Sequence, residues 1–123
     1  MLHHVSLGTN DPARARAFYD PVLAVVGLRF LNEQQSLNYG VSTFMLSLTR
    51  PVDGQPAAPG NGVHVAFYAG SRAMVEAFYR AALAHGGSSD GEPGLRPHYD
   101  PNYYAAFVRD PDGNKLEAFT YAP

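Results

Sequence analysis

Apolar positions along the chain change period in a fixed order, and that order occurs twice. Residues 2–9 and 62–69 are short apolar-rich segments that read as strands. A helix start follows each: Asn10 or Asp11 as N-cap with Pro12 in the first turn, and Ser71 as N-cap in the second copy. Ala15, Phe18, Tyr19 and Val22 then recur at helical spacing, as do Val75, Phe78, Tyr79 and Ala82. Pro21 predicts a kink or a break, because a proline inside a helix removes a hydrogen bond and clashes with the preceding turn. Gly27 and the Gly86-Gly87 pair are natural helix stops.

Beyond each helix the period becomes that of strands. The first half predicts strands at 28–33, 36–41 and 43–49. The second predicts a short strand near 87–91, then 103–109 and 114–121. Asp110-Pro111-Asp112-Gly113 joins the last two and is a strong turn sequence. PVDGQPAAPGNG (51–62) reads as a linker, and GEPGLRPHYDP (91–101) as a loop long enough to carry function.

The two halves are copies of each other. HVSLGTNDPARARAFYDPVLAVVG from His4 aligns without a gap on HVAFYAGSRAMVEAFYRAALAHGG from His64, sharing His-Val at the start and Ala-Phe-Tyr in the middle. The expected fold is α+β: two βαβββ modules in one domain, with module 1 at about 1–50, a linker at 51–62 and module 2 at about 63–123.

Composition narrows the chemistry. The formal net charge is -2, and no run of Lys or Arg could follow phosphates or dock on an anionic membrane, so neither nucleic acid nor membrane is expected as a partner. No cysteine is present, which removes disulfides, thiolate metal ligands and a cysteine nucleophile together. The first residues have neither a basic head nor a long apolar run, so a cytoplasmic location is expected.

A helix covering one face of each sheet leaves the other face to form a concave surface. His4 and His64 occupy equivalent positions in the two first strands. Aligning LSLT with LEAF sets Ser47 opposite Glu117. Of these four positions, His4, His64 and Glu117 are good ligands for a first-row divalent ion and leave coordination places free.

LHHVSLGTNDPARARAFYDPVLAVVGLRF, GVHVAFYA and, most specifically, AAFVRDPDGNKLEA carry a family likeness. The chain resembles the vicinal oxygen chelate superfamily, also called the glyoxalase/bleomycin-resistance/dioxygenase superfamily. The resemblance implies paired βαβββ modules forming a cup around a divalent metal, with ligands at His4, His64 and Glu117. Glyoxalase I enzymes typically place a fourth ligand, Glu or Gln, where this chain has Ser47, which argues against a lactoylglutathione lyase. The remaining His, His, Glu set looks like that of extradiol dioxygenases and of fosfomycin-modifying thiol transferases. Extradiol enzymes are usually longer, and this chain stops six residues after Glu117, short of the extension that carries an arginine in the fosfomycin group. Bleomycin-resistance proteins share the cup without a metal, and the ligand set argues against that group.

If Glu117 faces the cup, alternation brings Lys115 and Phe119 with it, Tyr103, Ala105 and Phe107 on the neighbouring strand, and Met45 and Thr49 beside Ser47. The expected substrate contacts are Ser47, Met45, Tyr103, Phe107, Phe119 and His98. His98 and Tyr99 lie either on a plain surface loop or folded over the mouth as an acid/base or gate. Tyr104 and Val108 should pack under the helices. His3 should face away from His4, and His85 reads as a helix-end or solvated residue.

The leading expectation is a divalent-metal-dependent lyase or dioxygenase acting on a small oxygen-chelating substrate, with Fe, Mn, Zn, Ni or Co as cofactor. The alternative is a binding protein that sequesters a small molecule without chemistry. A homodimer is expected, with the cup built either within one chain or between two.

Overall fold

The computed structural model, which describes all of residues 1–123, resolves the repeat into two sheets of one topology. The first module runs β1 (Val5–Gly8), α1 (Pro12–Val25), β2 (Arg29–Glu33), β3 (Leu37–Gly40) and β4 (Phe44–Thr49). The second runs β5 (His64–Tyr68), α2 (Arg72–Ala84), β6 (Ser88–Leu95), β7 (Tyr104–Arg109) and β8 (Lys115–Thr120). Strand orders are β1-β4-β3-β2 and β5-β8-β7-β6, so the expected pair of βαβββ modules is present. In each sheet the first strand runs parallel to the last and the other pairings are antiparallel.

The helix starts are as the sequence predicts, with Asp11 rather than Asn10 as the first cap. Its side chain accepts from the Arg14 N–H at 3.1 Å, and Ser71 accepts from Met74 at 3.1 Å. Two expectations need correction. Of the kink or break expected at Pro21, the break does not occur: helix α1 continues to Val25. Phe18 and Tyr19 before the proline, and Val22 and Leu23 after it, are all fully buried, so packing holds both sides of the missing bond in one helix. The short strand near 87–91 extends to Leu95, taking in the first part of the expected loop. Register slips between Ser89 and Gly91 and between Gly91 and Gly94 let β6 bend while staying paired to β7.

One buried cluster draws on both modules, with Phe18 and Phe78 from the helices and Leu46, Leu48, Val108 and Leu116 from the sheets. The helices pack on each other; α1 covers β2 and β4, while α2 covers β6, β7 and β8. Tyr104 and Val108 lie on the helix side, as alternation predicts: the Tyr104 hydroxyl donates to Glu76 of α2 at 2.8 Å and Val108 is fully buried. This order has a consequence for the site. With the helices between the sheets, their uncovered faces do not meet within one chain.

The turn at Asp110–Gly113 also clasps the modules together. Asp110 accepts from the Asp112 and Asn114 N–H groups, and from the Tyr19 hydroxyl of α1 at 2.5 Å. Asp112 accepts from the Thr9 hydroxyl at 2.6 Å, the Asn10 N–H at 2.9 Å and Arg14 at 2.8 Å. A turn of the second module thereby fixes the entry to the first helix. No helix is long and apolar enough to cross a membrane.

Candidate functional site

Strand register sets the site. Glu117 of β8 stands opposite Ala66 of parallel β5 and Phe107 of antiparallel β7. In the first module Ser47 of β4 stands opposite Ser6 of β1, which makes Ser47 and Glu117 structurally equivalent. His64 opens β5, and its Nε2 lies 3.1 Å from Glu117 Oε1. The other carboxylate oxygen accepts from the Tyr103 hydroxyl. Glu117 is 3 % exposed, whereas the His64 side chain is open to solvent. Burial, followed by the hydrogen bond to Glu117, raises the Tyr103 phenol well above its ordinary pKa.

This pair sits in a cavity of about 680 Å³ on the uncovered face of the second sheet. Tyr99, Tyr103 and Phe107 form its aromatic wall, with Asp90, Arg96 and Lys115 at its rim. Phe119 stacks behind Tyr103, ring centroids 5.3 Å apart and nearly parallel. His98 is exposed and leans on Tyr99 at 4.1 Å; it is Tyr99 that lines the cavity. Arg96 and Asp90 were not singled out by sequence. The signal for Arg96 was its place in the Gly- and Pro-rich stretch 91–101, whereas Asp90 carried none.

His4 stands elsewhere. It precedes β1, is exposed, and packs against Phe44 with ring centroids 4.6 Å apart. Its depression is shared with Ser6, Asn38, Phe44 and Ser47, and no residue of it lines the Glu117 cavity. Within one chain no three His, Asp or Glu residues come together as a metal-binding group. The Ser47 hydroxyl is buried and donates to Asn38 Oδ1 at 2.7 Å, and Asn38 donates in turn to Asn32 at 2.9 Å. Met45 lies half-exposed on β4 and lines neither depression. His3 departs from the expected opposite face: both His3 and His4 touch Phe44, because the two residues precede the strand and escape its alternation.

Comparison with known proteins agrees with this architecture. The model of the glyoxalase/bleomycin resistance protein/dioxygenase superfamily matches residues 1–118. A crystal structure of a glyoxalase/bleomycin resistance protein from Albidiferax ferrireducens T118 is 35% identical, covering 100% of this chain and 99% of that one with a TM-score of 0.88. A glyoxalase-related enzyme from Fulvimarina pelagi is 20% identical, covering 98% and 87%, with a TM-score of 0.78. Lactoylglutathione lyase from Agrobacterium tumefaciens is 24% identical, covering 98% and 92%, with a TM-score of 0.70. No curated protein is significantly similar in sequence. The chain belongs to the glyoxalase/bleomycin resistance protein/dioxygenase superfamily.

Proposed function

We propose that this chain is a divalent-metal-dependent enzyme acting on a small organic substrate through neighbouring oxygens, its ligands being His64 and Glu117 of one chain and His4 of a second copy. The observation that carries this reading is the His64–Glu117 pair at 3.1 Å. Two donors each about 2.1 Å from one ion and roughly 90–110° apart lie roughly 3.0–3.4 Å from each other, so the pair fits a shared ion. Tyr103 holds the far oxygen of Glu117 and leaves the near one for the ion.

The third ligand depends on assembly. β1 and β5 are edge strands with unpaired outer rims, and His64, Ala66 and Tyr68 alternate as exposed positions along β5. Laying β1 of one copy beside β5 of another joins the two sheets into one and brings His4 next to His64. Ser47, engaged by Asn38, is poorly placed to act as a fourth ligand. Three protein ligands leave room for substrate oxygens. An ion held there would act as a Lewis acid towards charge developing on those oxygens. The aromatic wall would orient the substrate body and exclude water around it.

Metal content of protein purified without chelator tests the ligands: His64→Ala and Glu117→Ala should each lose the ion, and retention by both would sink the reading. Subunit mixing tests the assembly. His4→Ala and Glu117→Ala proteins, each metal-free alone, should regain about a quarter of the sites when mixed, because heterodimers restore one intact site. Sites built within one chain would regain none. The aromatic wall also suits a binding protein that sequesters its ligand without chemistry; ligand affinity unchanged by EDTA, with no metal in the untreated protein, would favour that reading.

A further inference from the structure

The cavity beside Glu117 carries a positive charge that the metal reading leaves unused. Arg96 follows β6, and its half-buried side chain turns back along the strand. Nη2 donates to the Glu92 carbonyl at 2.8 Å and Nη1 to the Gly94 carbonyl at 2.9 Å. The guanidinium lies over Phe107, 5.5 Å from the ring centroid. No carboxylate comes within ion-pairing distance of it.

Missing side chains make this position possible. A Cβ at Gly91 would stand 3.3 Å from Nη2, and one at Gly94 would stand 3.2 Å from Nη1. The register slips of β6 fall at the same two glycines. The strand is bent and stripped of side chains where the guanidinium lies.

The other charged groups of the cavity each have a charged or hydrogen-bonding side chain beside them. Asp90 is shared by Arg109 at 3.1 Å and Lys115 at 3.4 Å, and Glu117 is held by His64 and Tyr103. The cavity rim therefore holds one guanidinium without a counter-charge, with donors beyond those its carbonyls take up.

We infer that Arg96 is the anchor for a carboxylate, and that the ligand of this cavity is a small planar organic monoanion. Planarity suits a cavity whose lining includes the aromatic rings of Tyr99, Tyr103 and Phe107. A monoanion matches the one guanidinium that has no carboxylate within reach, whereas a phosphate dianion would have to draw Lys115 away from Asp90, 3.4 Å from it. The ligand's carboxylate lies on Arg96 and its body on Phe107, leaving its further oxygens towards His64 and Glu117. This rests on the proposed function only for the use of those oxygens.

Calorimetric titration in EDTA with two isosteric probes, 2-hydroxybenzoate and neutral 2-hydroxybenzamide, tests the anchor without metal. The wild-type protein should bind the acid about tenfold or more tightly than the amide, and added salt should reduce the difference. Arg96→Gln should abolish the preference; Arg96→Lys, which keeps the charge without the planar fork, should retain part of it. Equal affinity for the two probes in the wild-type protein, or no binding of either, overturns the inference whatever the variants do to folding. Metal content of the same preparations separates the two ideas. Metal bound without a preference for the acid removes only the anchor, and a preference for the acid without metal removes only the metal reading.

Discussion

At the scale of single residues, Glu117 and Tyr103 show how burial and hydrogen bonding act together. The carboxylate is nearly inaccessible, so each oxygen needs a partner. Tyr103→Phe should therefore weaken binding of Mn(II) or Zn(II) by about tenfold, read by metal titration, while circular dichroism stays that of the wild type. Three further tyrosine hydroxyls are tied to acids: Tyr19 to Asp110, Tyr39 to Asp20 and Tyr104 to Glu76. Burial, aided by these acids, raises the Tyr19 and Tyr39 phenols well above their ordinary pKa. Both keep their protons in the folded chain when the unfolded chain has begun to lose them. The stability they contribute is complete below about pH 10 and declines above it, by up to about 1.4 kcal/mol per pH unit for each group. Urea midpoints should be flat from about pH 8 to 9 and fall from about pH 10 upward, less steeply in Tyr19→Phe. A fall beginning near neutrality would contradict this.

At the scale of elements, the sequence was most informative where period and punctuation agreed. Asp11-Pro12, Ser71 and the Asp110–Gly113 turn each mark an element boundary by their own chemistry, and the strands around them lie within a few residues of expectation. No break occurs at Pro21 because the cost of a proline is local, whereas the burial that outweighs it comes from the whole core. Residues 91–95 misled for the opposite reason. Gly91, Pro93 and Gly94 carry loop composition, yet β6 uses two of them as bulges and stays paired to β7. Gly91 has φ +152, and a side chain there would press on Phe107 at 3.1 Å. Gly91→Ala should lower stability by about 1–3 kcal/mol in urea unfolding and weaken acid binding along with it.

At the scale of the whole molecule, repeat symmetry told which residues correspond but not which ones meet. The equivalence of His4 with His64, and of Ser47 with Glu117, could be read from an ungapped alignment and is reproduced by strand register. Their separation could not. It follows from the helices packing on each other over a core shared by both modules, which no local motif announces. The clasp was equally hidden: Asp110-Pro111-Asp112-Gly113 reads as a turn, and nothing local says that Asp112 will serve Thr9, Asn10 and Arg14. With its side chain 2% exposed, Asp112→Ala should cost about 2–3 kcal/mol in urea unfolding, more than an exposed ion pair would.

That clasp changes what the linker is for. Between the modules the backbone passes a turn at Asp53 and Gly54, and the next ties to module 1 come only at Ala57, which bonds to Asn10. The halves are joined by a shared core and by Asp110 and Asp112, so continuity of the chain at 53–54 adds chiefly local concentration. A bond cut there should leave two fragments that co-elute, and separately expressed pieces ending and starting at that turn should assemble when mixed. In Asp112→Ala the same two pieces should assemble more weakly. The duplicated chain would then behave as a pair of complementary peptides that happen to be translated together.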